Sequence, residues 1–497
     1  MNAMSVPPHA PVSGVETRTI DMVPERERHG SPRSQFTLWF GANLQITAVV
    51  DGALAIIFGV DAMTAIIGLL IGNLLGGAVM ALHSAQGPRM GLPQMISSRV
   101  QFGVKGAALP LILVIVMYLG FAATGTVLSG QAINSMFGVT APAFGIVVFG
   151  SLTAIVATAG YRLIHQLGKI ASIVGIFGWL FLAYQLFRQY DVSAAFGHTA
   201  FSVPTLLLAI SLSAGWQLTF APYVADYSRY LPSHTPAAST FWTTFLGTAL
   251  GAQIAMTFGV LVAAVSGAAF LKNQVGFMGG LAGPGAAVVI YLVIVMGKLT
   301  VNCLNAYGGF MSMLTTVSAF NRRTRISPLA RVLFIVGFVA VSMAIALAAS
   351  ADFLNNFKNF VLLLLAVFVP WSAVNLVDYY LVSKERVDIP ALYDSQGRYG
   401  SYNWIALGCY VFGIVVQIPF LAQKMYTGPF TKMLGGADIS WIVSLLLTAL
   451  VYYPLAKKTM KVPAGMILPS DEAAEAPGTK TSTTPADATL LGLPRTA

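Results

Sequence analysis

The chain contains 497 residues, of which 56% are hydrophobic and only 9% are charged. A water-soluble domain carries about 25% charged residues, so this composition excludes an ordinary soluble protein and indicates a membrane protein. The formal net charge of +10 does not indicate a nucleic-acid partner, because the basic residues do not cluster on one soluble face. We expect these charges in loops that face an anionic lipid leaflet.

Twelve apolar segments, numbered here as spans one to twelve, match the length of roughly 20 residues that a helix needs to cross a bilayer. They lie at residues 36–58, 62–82, 108–134, 141–159, 168–188, 203–224, 240–267, 284–314, 330–350, 358–380, 402–422 and 438–456. With the N-terminus placed in the cytoplasm, 22 of the 28 Lys and Arg residues fall inside, five fall outside and Lys298 lies within a span. Because cytoplasmic loops are enriched in basic residues, this bias predicts a multi-pass protein of the inner or plasma membrane with both termini cytoplasmic.

Polar segments flank the twelve spans. Residues 1–34 are polar and Pro-rich and lack the short apolar stretch of a cleaved signal peptide. Residues 461–497 are rich in Pro, Ala, Thr and acidic residues, which predicts a flexible cytoplasmic tail. The sequence therefore predicts a cytoplasmic tail at 1–34, a transmembrane domain at 35–460 and a second tail at 461–497.

The sequence lacks the motifs of several enzyme classes. It has no phosphate-binding loop of the form Gly-x-x-x-x-Gly-Lys-Ser/Thr and no His-Glu-x-x-His zinc motif. The six histidines have no metal-binding spacing, and Cys303 and Cys409 form no ligand set or disulfide framework. The spans also contain few acids or bases beyond Asp51, Asp378 and Lys298. We therefore expect no enzyme and no cofactor, and transport driven by an ion gradient is the function that these exclusions favour.

Span one carries two amides, Asn43 and Gln45, at a depth where they are costly without partners or a cavity. They either bond to neighbouring helices or mark a broken helix at a binding site. Span six has a matching interruption at residues 211–222, which contains Trp216, Gln217 and Phe220. Paired interruptions favour a transporter over an enzyme or a passive channel, because a channel does not need them. An aromatic face beside an amide suits a flat heteroaromatic ring.

Span eight carries Asn302 and Asn305, which lie three residues apart and share one helical face. Each is either a substrate ligand or a hydrogen-bonding contact between helices. Span two contains Gly72-x-x-x-Gly76-Gly77, a spacing of small residues that predicts close helix packing and no substrate role.

Lys298 is the one basic residue inside a span, and a charge at that depth requires a partner. Asp51 lies about 9 Å beyond Gln45, and Lys298 lies about 10 Å before Asn305, at 1.5 Å per helical residue. If Gln45 and Asn305 face one substrate, Asp51 and Lys298 lie at matching depth. The sequence thus predicts an ion pair on the outer side of the site, and this pair is a candidate carrier of the coupling proton. The alternative is that Lys298 snorkels or bonds carbonyls while Asp51 caps the broken helix.

The loop that follows span two resembles the signature loop of the nucleobase–cation symporter family, type one. Its sequence is Gly87-Pro88-Arg89-Met90-Gly91-Leu92-Pro93-Gln94-Met95-Ile96-Ser97-Ser98-Arg99-Val100-Gln101-Phe102-Gly103. Further matching stretches are Val23-Pro24-Glu25, Gly30-Ser31-Pro32, Ala42-Asn43-Leu44, residues 225–232 and Asn302-x-x-Asn305-x-Tyr307. The resemblance extends from about residue 20 to residue 460 and looks closest to the purine–cytosine permease branch.

This resemblance implies an all-α fold with a five-plus-five inverted repeat, at 36–188 and 203–380, and two extra helices at 402–456. It implies a site between spans one, three, six and eight. The residues carried over to that site are the amides Gln45 and Asn305, Phe121 at a position usually occupied by Trp, and Trp216, Gln217 or Phe220 as the aromatic region of span six. The implied function is uptake of a cytosine- or purine-like heterocycle by cation symport. The alternatives are a permease for allantoin, hydantoin or thiamine, or an amino-acid permease on the same fold.

The resemblance also bears on the coupling cation. In sodium-coupled relatives the ion lies between carbonyls of span one, here those of Gly41 and Leu44, and hydroxyls of span eight. Span eight supplies Thr300, but Leu299 stands where a second hydroxyl is expected. One oxygen fewer weakens a site for a hard cation, so we expect protons rather than sodium. The expected partners are therefore a small heterocycle, a coupling cation and the bilayer.

Overall fold

The computed structural model describes residues 20–159, 161–197, 200–321, 327–423 and 426–469. Most of the predicted N-terminal tail (1–34) and of the C-terminal tail (461–497) lies outside the described residues. The described part of the chain is mostly helical, as the sequence predicts, with one short two-stranded sheet.

The α-helices are α1 Arg33–Asn43, α2 Ile46–Ile57, α3 Ala62–Ser84, α4 Gly87–Met90, α5 Gln94–Ser97, α6 Arg99–Phe102, α7 Ala108–Phe137, α8 Pro142–Ala159, α9 Tyr161–Gln189, α10 Val203–Leu218, α11 Ala225–Ser228, α12 Ala237–Ser266, α13 Ala268–Lys272, α14 Gln274–Ala282, α15 Pro284–Phe320, α16 Pro328–Ala349, α17 Phe353–Leu376, α18 Trp404–Val415, α19 Pro429–Met433 and α20 Ser440–Thr459. A π-helical turn, Val377–Val382, extends α17. Short 3-10 turns lie at Glu25–Glu27, Val192–Phe196, Ser350–Asp352, Pro390–Tyr393 and Ile418–Phe420. Strands β1 (Ala422–Gln423) and β2 (Tyr426–Thr427) pair antiparallel.

Each of the twelve predicted apolar segments coincides with a helix or with two successive helices. Among the described residues, six helices are long and apolar enough to cross a membrane, and the bent pair α1 and α2 makes a seventh. The helices α8, α10 and α18 are apolar but shorter.

The predicted break in span one is confirmed. Helices α1 and α2 meet at an angle of 59°, with Leu44 and Gln45 between them. Gln45 is extended (φ −141°, ψ 156°), and its backbone N–H donates to Asn43 O at 2.9 Å. The regular i to i−4 ladder is interrupted here, which leaves polar backbone and side-chain groups in the interior.

The break in span six lies in the second half of the predicted interruption at residues 211–222. Helix α10 runs through Gly215 and ends at Leu218, and turns follow as far as α11. A Cβ on Gly215 would lie 3.0 Å from Val361 Cγ1, so the absent side chain allows α10 to pack against α17. Gly215 therefore serves helix packing, and the chain leaves the helix only after it.

The small-residue packing predicted for span two is confirmed. A Cβ on Gly72 would overlap Ser213 Oγ and the carbonyl of Ile210 on α10, and a Cβ on Gly76 would overlap Gln217 and Ala214. Backbones that approach this closely gain van der Waals contact inside a membrane. Helix α3 is thereby packed directly against α10.

The described residues of the predicted C-terminal tail, 461–469, include a segment that bonds to the rest of the protein. Ile467 N donates to Val387 O at 2.9 Å, and Ile389 N donates to Ile467 O at 3.0 Å. Met466 and Leu468 pack against the buried cluster that includes Val387 and Ile389. The Pro-, Ala- and Thr-rich composition of the tail did not indicate that Met466 and Leu468 pack against this cluster and hold the segment on the protein.

Candidate functional site

A cavity lies beside the break between α1 and α2, where these helices face α7, α10 and α15. The break supplies polar side chains, and the facing helices supply aromatic rings. The residues that line it are Gln45, Thr47, Met117, Tyr118, Phe121, Trp216, Phe220, Tyr223, Lys298, Val301 and Asn305.

Half of the twelve site residues predicted from the sequence line this cavity. These six are Gln45, Phe121, Trp216, Phe220, Lys298 and Asn305. The other six lie outside its lining and are Gly41, Leu44, Asp51, Gln217, Thr300 and Asn302. The predicted convergence of spans one, three, six and eight is therefore visible in the geometry.

Aromatic rings form one side of the cavity. Phe121 and Trp216 have centroids 5.8 Å apart and an interplanar angle of 89°, and Trp216 and Phe220 have centroids 5.7 Å apart at 80°. Tyr223 continues the series toward Tyr118, with centroids 5.4 Å apart. Such edge-to-face contacts are the preferred geometry of packed aromatic rings and hold them in place.

Trp216 is oriented by a buried hydrogen-bond network. Its Nε1 donates to Asn43 Oδ1 at 2.6 Å, and Asn43 Nδ2 donates to Thr248 Oγ1 at 3.0 Å. Thr248 Oγ1 donates to Gln217 Oε1 at 2.6 Å, and Gln217 Nε2 donates to Asn73 Oδ1 at 3.0 Å. Gln217 thus belongs to the network behind the ring and contacts α3 and α12 rather than the cavity. The amide of Asn43 orients the indole ring.

The polar side of the cavity is organised around Lys298. Its Nζ donates to Gln45 Oε1 at 2.6 Å and to Thr47 Oγ1. Gln45 Nε2 in turn donates to Ala42 O at 2.9 Å, so both ends of this amide are engaged. Asn305 is only 8% exposed, and its Nδ2 has no hydrogen-bond partner among the described residues. Asn305 is therefore the amide with an unused donor in the cavity.

The predicted ion pair between Asp51 and Lys298 is wrong. Neither carboxylate oxygen of Asp51 has a hydrogen-bond partner in the described part of the chain, and Lys298 reaches Gln45 and Thr47 instead. The alternative is wrong as well, because Lys298 bonds side-chain oxygens rather than carbonyls and Asp51 lies inside α2 rather than at its end. At the break, the ammonium bonds instead to the side-chain oxygens of Gln45 and Thr47, which precede Asp51 in the chain.

Asn302 forms a contact between helices. Its Nδ2 donates to Ala122 O at 2.9 Å and to Thr126 Oγ1 at 3.1 Å, both on α7. This agrees with the alternative in which Asn302 holds α15 on the bundle.

The oxygen atoms expected for a sodium ion all take part in hydrogen bonds within the protein. Gly41 O accepts from Leu44 N at 3.2 Å, and Leu44 O accepts from Trp179 Nε1 at 3.1 Å. Thr300 Oγ1 donates to Met296 O at 3.1 Å, within its own helix.

Five of the residues that line the cavity were not predicted from the sequence. Thr47 lies two residues beyond Gln45, Tyr118 lies three before Phe121, and Tyr223 follows the end of α10. Met117 and Val301 complete the lining. The i, i+3 spacing on a helix would have placed Tyr118 beside Phe121, whereas Tyr223 depends on the turn after Leu218.

The chain matches a family model described as "Permease for cytosine/purines, uracil, thiamine, allantoin" over residues 22–444. The chain belongs to this permease family. The Bacillus subtilis (strain 168) protein YxlA, which carries the name of a purine-cytosine permease, is 38% identical over 452 residues, covering 91% of this chain and 98% of that protein. The purine-cytosine permease fcyB of Emericella nidulans is 25% identical, covering 88% of this chain and 87% of fcyB.

Solved structures show the same fold for this permease. The inward-facing structure of Mhp1 has a TM-score of 0.72 at 17% identity and covers 90% of this chain and 95% of Mhp1. A closed structure of Mhp1, described as a nucleobase-cation-symport-1 family transporter with bromovinylhydantoin bound, has a TM-score of 0.66 at 18% identity, with coverage of 90% and 97%. The chain is thus a multi-pass membrane transporter with an Mhp1-like fold and not an enzyme.

Proposed function

We propose that this permease takes up a cytosine- or purine-like heterocycle by cation symport. The observation that carries the proposal is the cavity in which Phe121 and Trp216 stand beside the free Asn305 amide. A nucleobase offers a flat face for an aromatic ring and ring nitrogens or carbonyls that accept a hydrogen bond from Nδ2. The names of YxlA and fcyB point to the same substrate class.

We propose the twelve-span arrangement for the whole permease, with repeats at 36–188 and 203–380, extra helices at 402–456 and both termini in the cytoplasm. The helix breaks after Asn43 and after Leu218 support it, since they lie at equivalent places in the two repeats. Residues at both breaks line the cavity.

We propose the proton as the coupling cation. Leu299 supports this, because it stands where a second hydroxyl is expected in span eight and a hard cation is left with one oxygen ligand fewer. The ammonium of Lys298 beside the helix break supports it further, since that group already supplies a positive charge there.

The test is uptake into proteoliposomes of labelled cytosine, adenine, hypoxanthine, uracil, allantoin and thiamine. We expect accumulation of cytosine or a purine against a gradient, driven by an inward proton gradient without sodium and abolished by a proton ionophore. Preferential uptake of allantoin or thiamine would contradict a cytosine- or purine-like substrate. Uptake that requires sodium at constant pH and is indifferent to the ionophore would contradict proton coupling.

The site itself is tested by substitution. Asn305→Ala removes the free donor, and we expect the apparent affinity to fall by about ten- to a hundred-fold, corresponding to about 1–3 kcal/mol. Phe121→Ala and Trp216→Ala remove ring area and weaken affinity as well. The matched control is Asn356→Ala, since Asn356 is an exposed residue outside the cavity. If all three cavity variants reach the membrane and transport with unchanged affinity, the cavity is not the substrate site.

A further inference from the structure

The Lys298 side chain is a buried positive group without a negative partner. It is 4% exposed, and it donates hydrogen bonds to the uncharged side chains of Gln45 and Thr47. No ion pair involving Lys298 occurs among the described residues. A buried ammonium held only by neutral oxygens is far less stable than one paired with a carboxylate.

The orientation of α2 adds to this instability. Gln45 is the N-cap of α2 and Thr47 lies in its first turn, so the ammonium faces the N-terminal end of that helix. Backbone N–H groups at a helix N-terminus carry partial positive charge and disfavour a cation. The Lys298 amine therefore lies at the helix break, among neutral oxygens and beside the N-terminal end of α2.

The other titratable groups of the site are few in the described structure. Tyr118 and Tyr223 line the cavity, and Asp51 lies on α2 one turn beyond Thr47. The Asp51 carboxyl is fully buried and bonds to none of the described residues. None of these groups shares a hydrogen bond with Lys298. Among these titratable groups, the Lys298 amine is therefore the one that bonds to Gln45 and Thr47 at the helix break.

We propose that Lys298 carries the coupling proton and that its ammonium form ties the broken helix to α15; this rests on the proposed symport function. In the ammonium form, Lys298 holds Gln45 and Thr47 and so fixes one side of the cavity. When the amine is neutral, the charged donor is lost and the link across the break weakens, because hydrogen bonds from charged donors are roughly twice as strong.

The proton balance is simple. The amine lone pair accepts one proton from water on the outer side, and the ammonium returns that proton to water on the inner side. No other bond forms or breaks, and nothing is oxidised or reduced. Lys298 is seven residues from Asn305 on α15, so both reach the same cavity. Substrate binds best to the cavity shape that the ammonium fixes, and by linkage bound substrate favours the protonated lysine.

The experiment compares wild type with Lys298→Gln and Lys298→Arg in proteoliposomes. Two quantities are measured: substrate exchange at equal pH, and proton entry driven by a substrate gradient, followed with a trapped pH-sensitive dye. Gln keeps a polar group but cannot bind the proton, and Arg cannot release it. We expect both variants to lose substrate-driven proton entry by at least about tenfold relative to the substrate exchange that each variant still performs. The control Lys272→Gln changes an exposed lysine and should match wild type.

A second variant keeps the lysine and weakens its site. Thr47→Val removes one oxygen that accepts from the ammonium, so protonation becomes harder. We expect the pH of half-maximal uptake to shift toward acid. A purely structural role for Thr47 would lower uptake at every pH and leave that midpoint in place, which would contradict the proposal even if Lys298→Gln failed to fold.

The outcomes separate this inference from the proposed function. Substrate-driven proton entry that persists in Lys298→Gln overturns the role of Lys298 and leaves heterocycle uptake intact. Sodium-dependent uptake without proton entry in wild type also overturns the role of Lys298 and leaves heterocycle uptake intact. Failure of the wild type to take up any tested heterocycle overturns the proposed function itself.

Discussion

The Trp216 ring shows how a single side chain depends on residues outside the cavity. Its Nε1 donates to Asn43 Oδ1 at 2.6 Å, so Trp216→Phe leaves a buried acceptor unmatched. We expect a stability loss of about 1–3 kcal/mol together with weaker apparent substrate affinity, because the ring loses its orientation. Thermal unfolding and the KM of uptake measure the two effects.

Trp441→Phe is the matched control for that substitution. Trp441 Nε1 donates to Ser211 Oγ at 3.0 Å, and Ser211, like Trp216, lies on α10. Neither Trp441 nor Ser211 lines the cavity. We expect a similar loss of stability with an unchanged KM. An equal rise in KM for both variants would contradict a specific role for the link between Trp216 and Asn43.

At the residue scale, the sequence predicted residue types better than their partners. Depth along two straight helices placed Asp51 opposite Lys298, but a flexible lysine side chain reached the nearer oxygens of Gln45 and Thr47. Gln217 was predicted beside the cavity from its neighbour Trp216, yet adjacent positions on a helix point in different directions. Which face points inward depends on tertiary packing.

At the element scale, the loop between α3 and α7 is attached to the bundle by Arg99. This residue is 1% exposed, and it donates to Leu392 O at 3.0 Å, Thr315 O at 2.9 Å and Ser318 Oγ at 2.9 Å. Burial lowers the pKa of Arg99 to about 10, and Tyr393 opposes the shift, so the group stays charged at neutral pH. The loop is thereby connected to the end of α15 and to the turn Pro390–Tyr393.

We expect Arg99→Met to destabilise the protein by about 3 kcal/mol, because hydrogen bonds from a charged donor are lost in a buried site. Arg99→Lys should not restore stability, since lysine lacks the planar fork that reaches several acceptors. The control in the same loop is Arg89→Met, which breaks an exposed pair with Glu385 at 2.7 Å and should cost about 1 kcal/mol or less. Thermal unfolding in detergent measures the loss of stability in each variant. An equal fall in Tm for Arg99→Met and Arg89→Met would contradict the role of Arg99 in attaching the loop.

Helix positions followed from apolar segment length, and the break in α1–α2 followed from two amides in an apolar run. The second break falls within the predicted residues 211–222 but not at Gly215, which instead permits contact between α10 and Val361. Hydropathy reports which residues avoid water. It does not report where two helices approach closely.

At the scale of the whole molecule, the proposed orientation can be measured with single cysteines. Cys303 and Cys409 are both buried and can be replaced by Ala to give a cysteine-free background. Ser193 and Gln396 are exposed and lie in loops proposed to face opposite sides. We expect an impermeant maleimide to label Ser193→Cys on intact cells and Gln396→Cys only after permeabilisation. The reverse pattern would place the termini outside.

The long-range polar network could not be predicted from the sequence. Gln86 Nε2 donates to Asn375 Oδ1 at 3.0 Å, and Gln101 Nε2 donates to Asp378 Oδ2 at 3.0 Å. Tyr452 on α20 also donates to Asp378, at 3.4 Å. These partners are far apart in the chain, and no spacing rule brings them together. The family resemblance supplied the overall arrangement, while such contacts depend on the three-dimensional fold.

The hydrogen bonds of Lys298 have a consequence for the biosynthesis of the protein. Synthesis proceeds from the N-terminus, so α1 and α2 enter the bilayer well before α15, whose lysine lies 253 residues after Gln45 and 251 after Thr47. A lysine at mid-membrane depth opposes insertion by about 2.5–3.5 kcal/mol on translocon scales. The side-chain oxygens of Gln45 and Thr47, which are inserted earlier, offset part of this cost by bonding to Lys298. We therefore expect a substitution at Thr47 to impair the membrane insertion of α15, although α15 is synthesised much later.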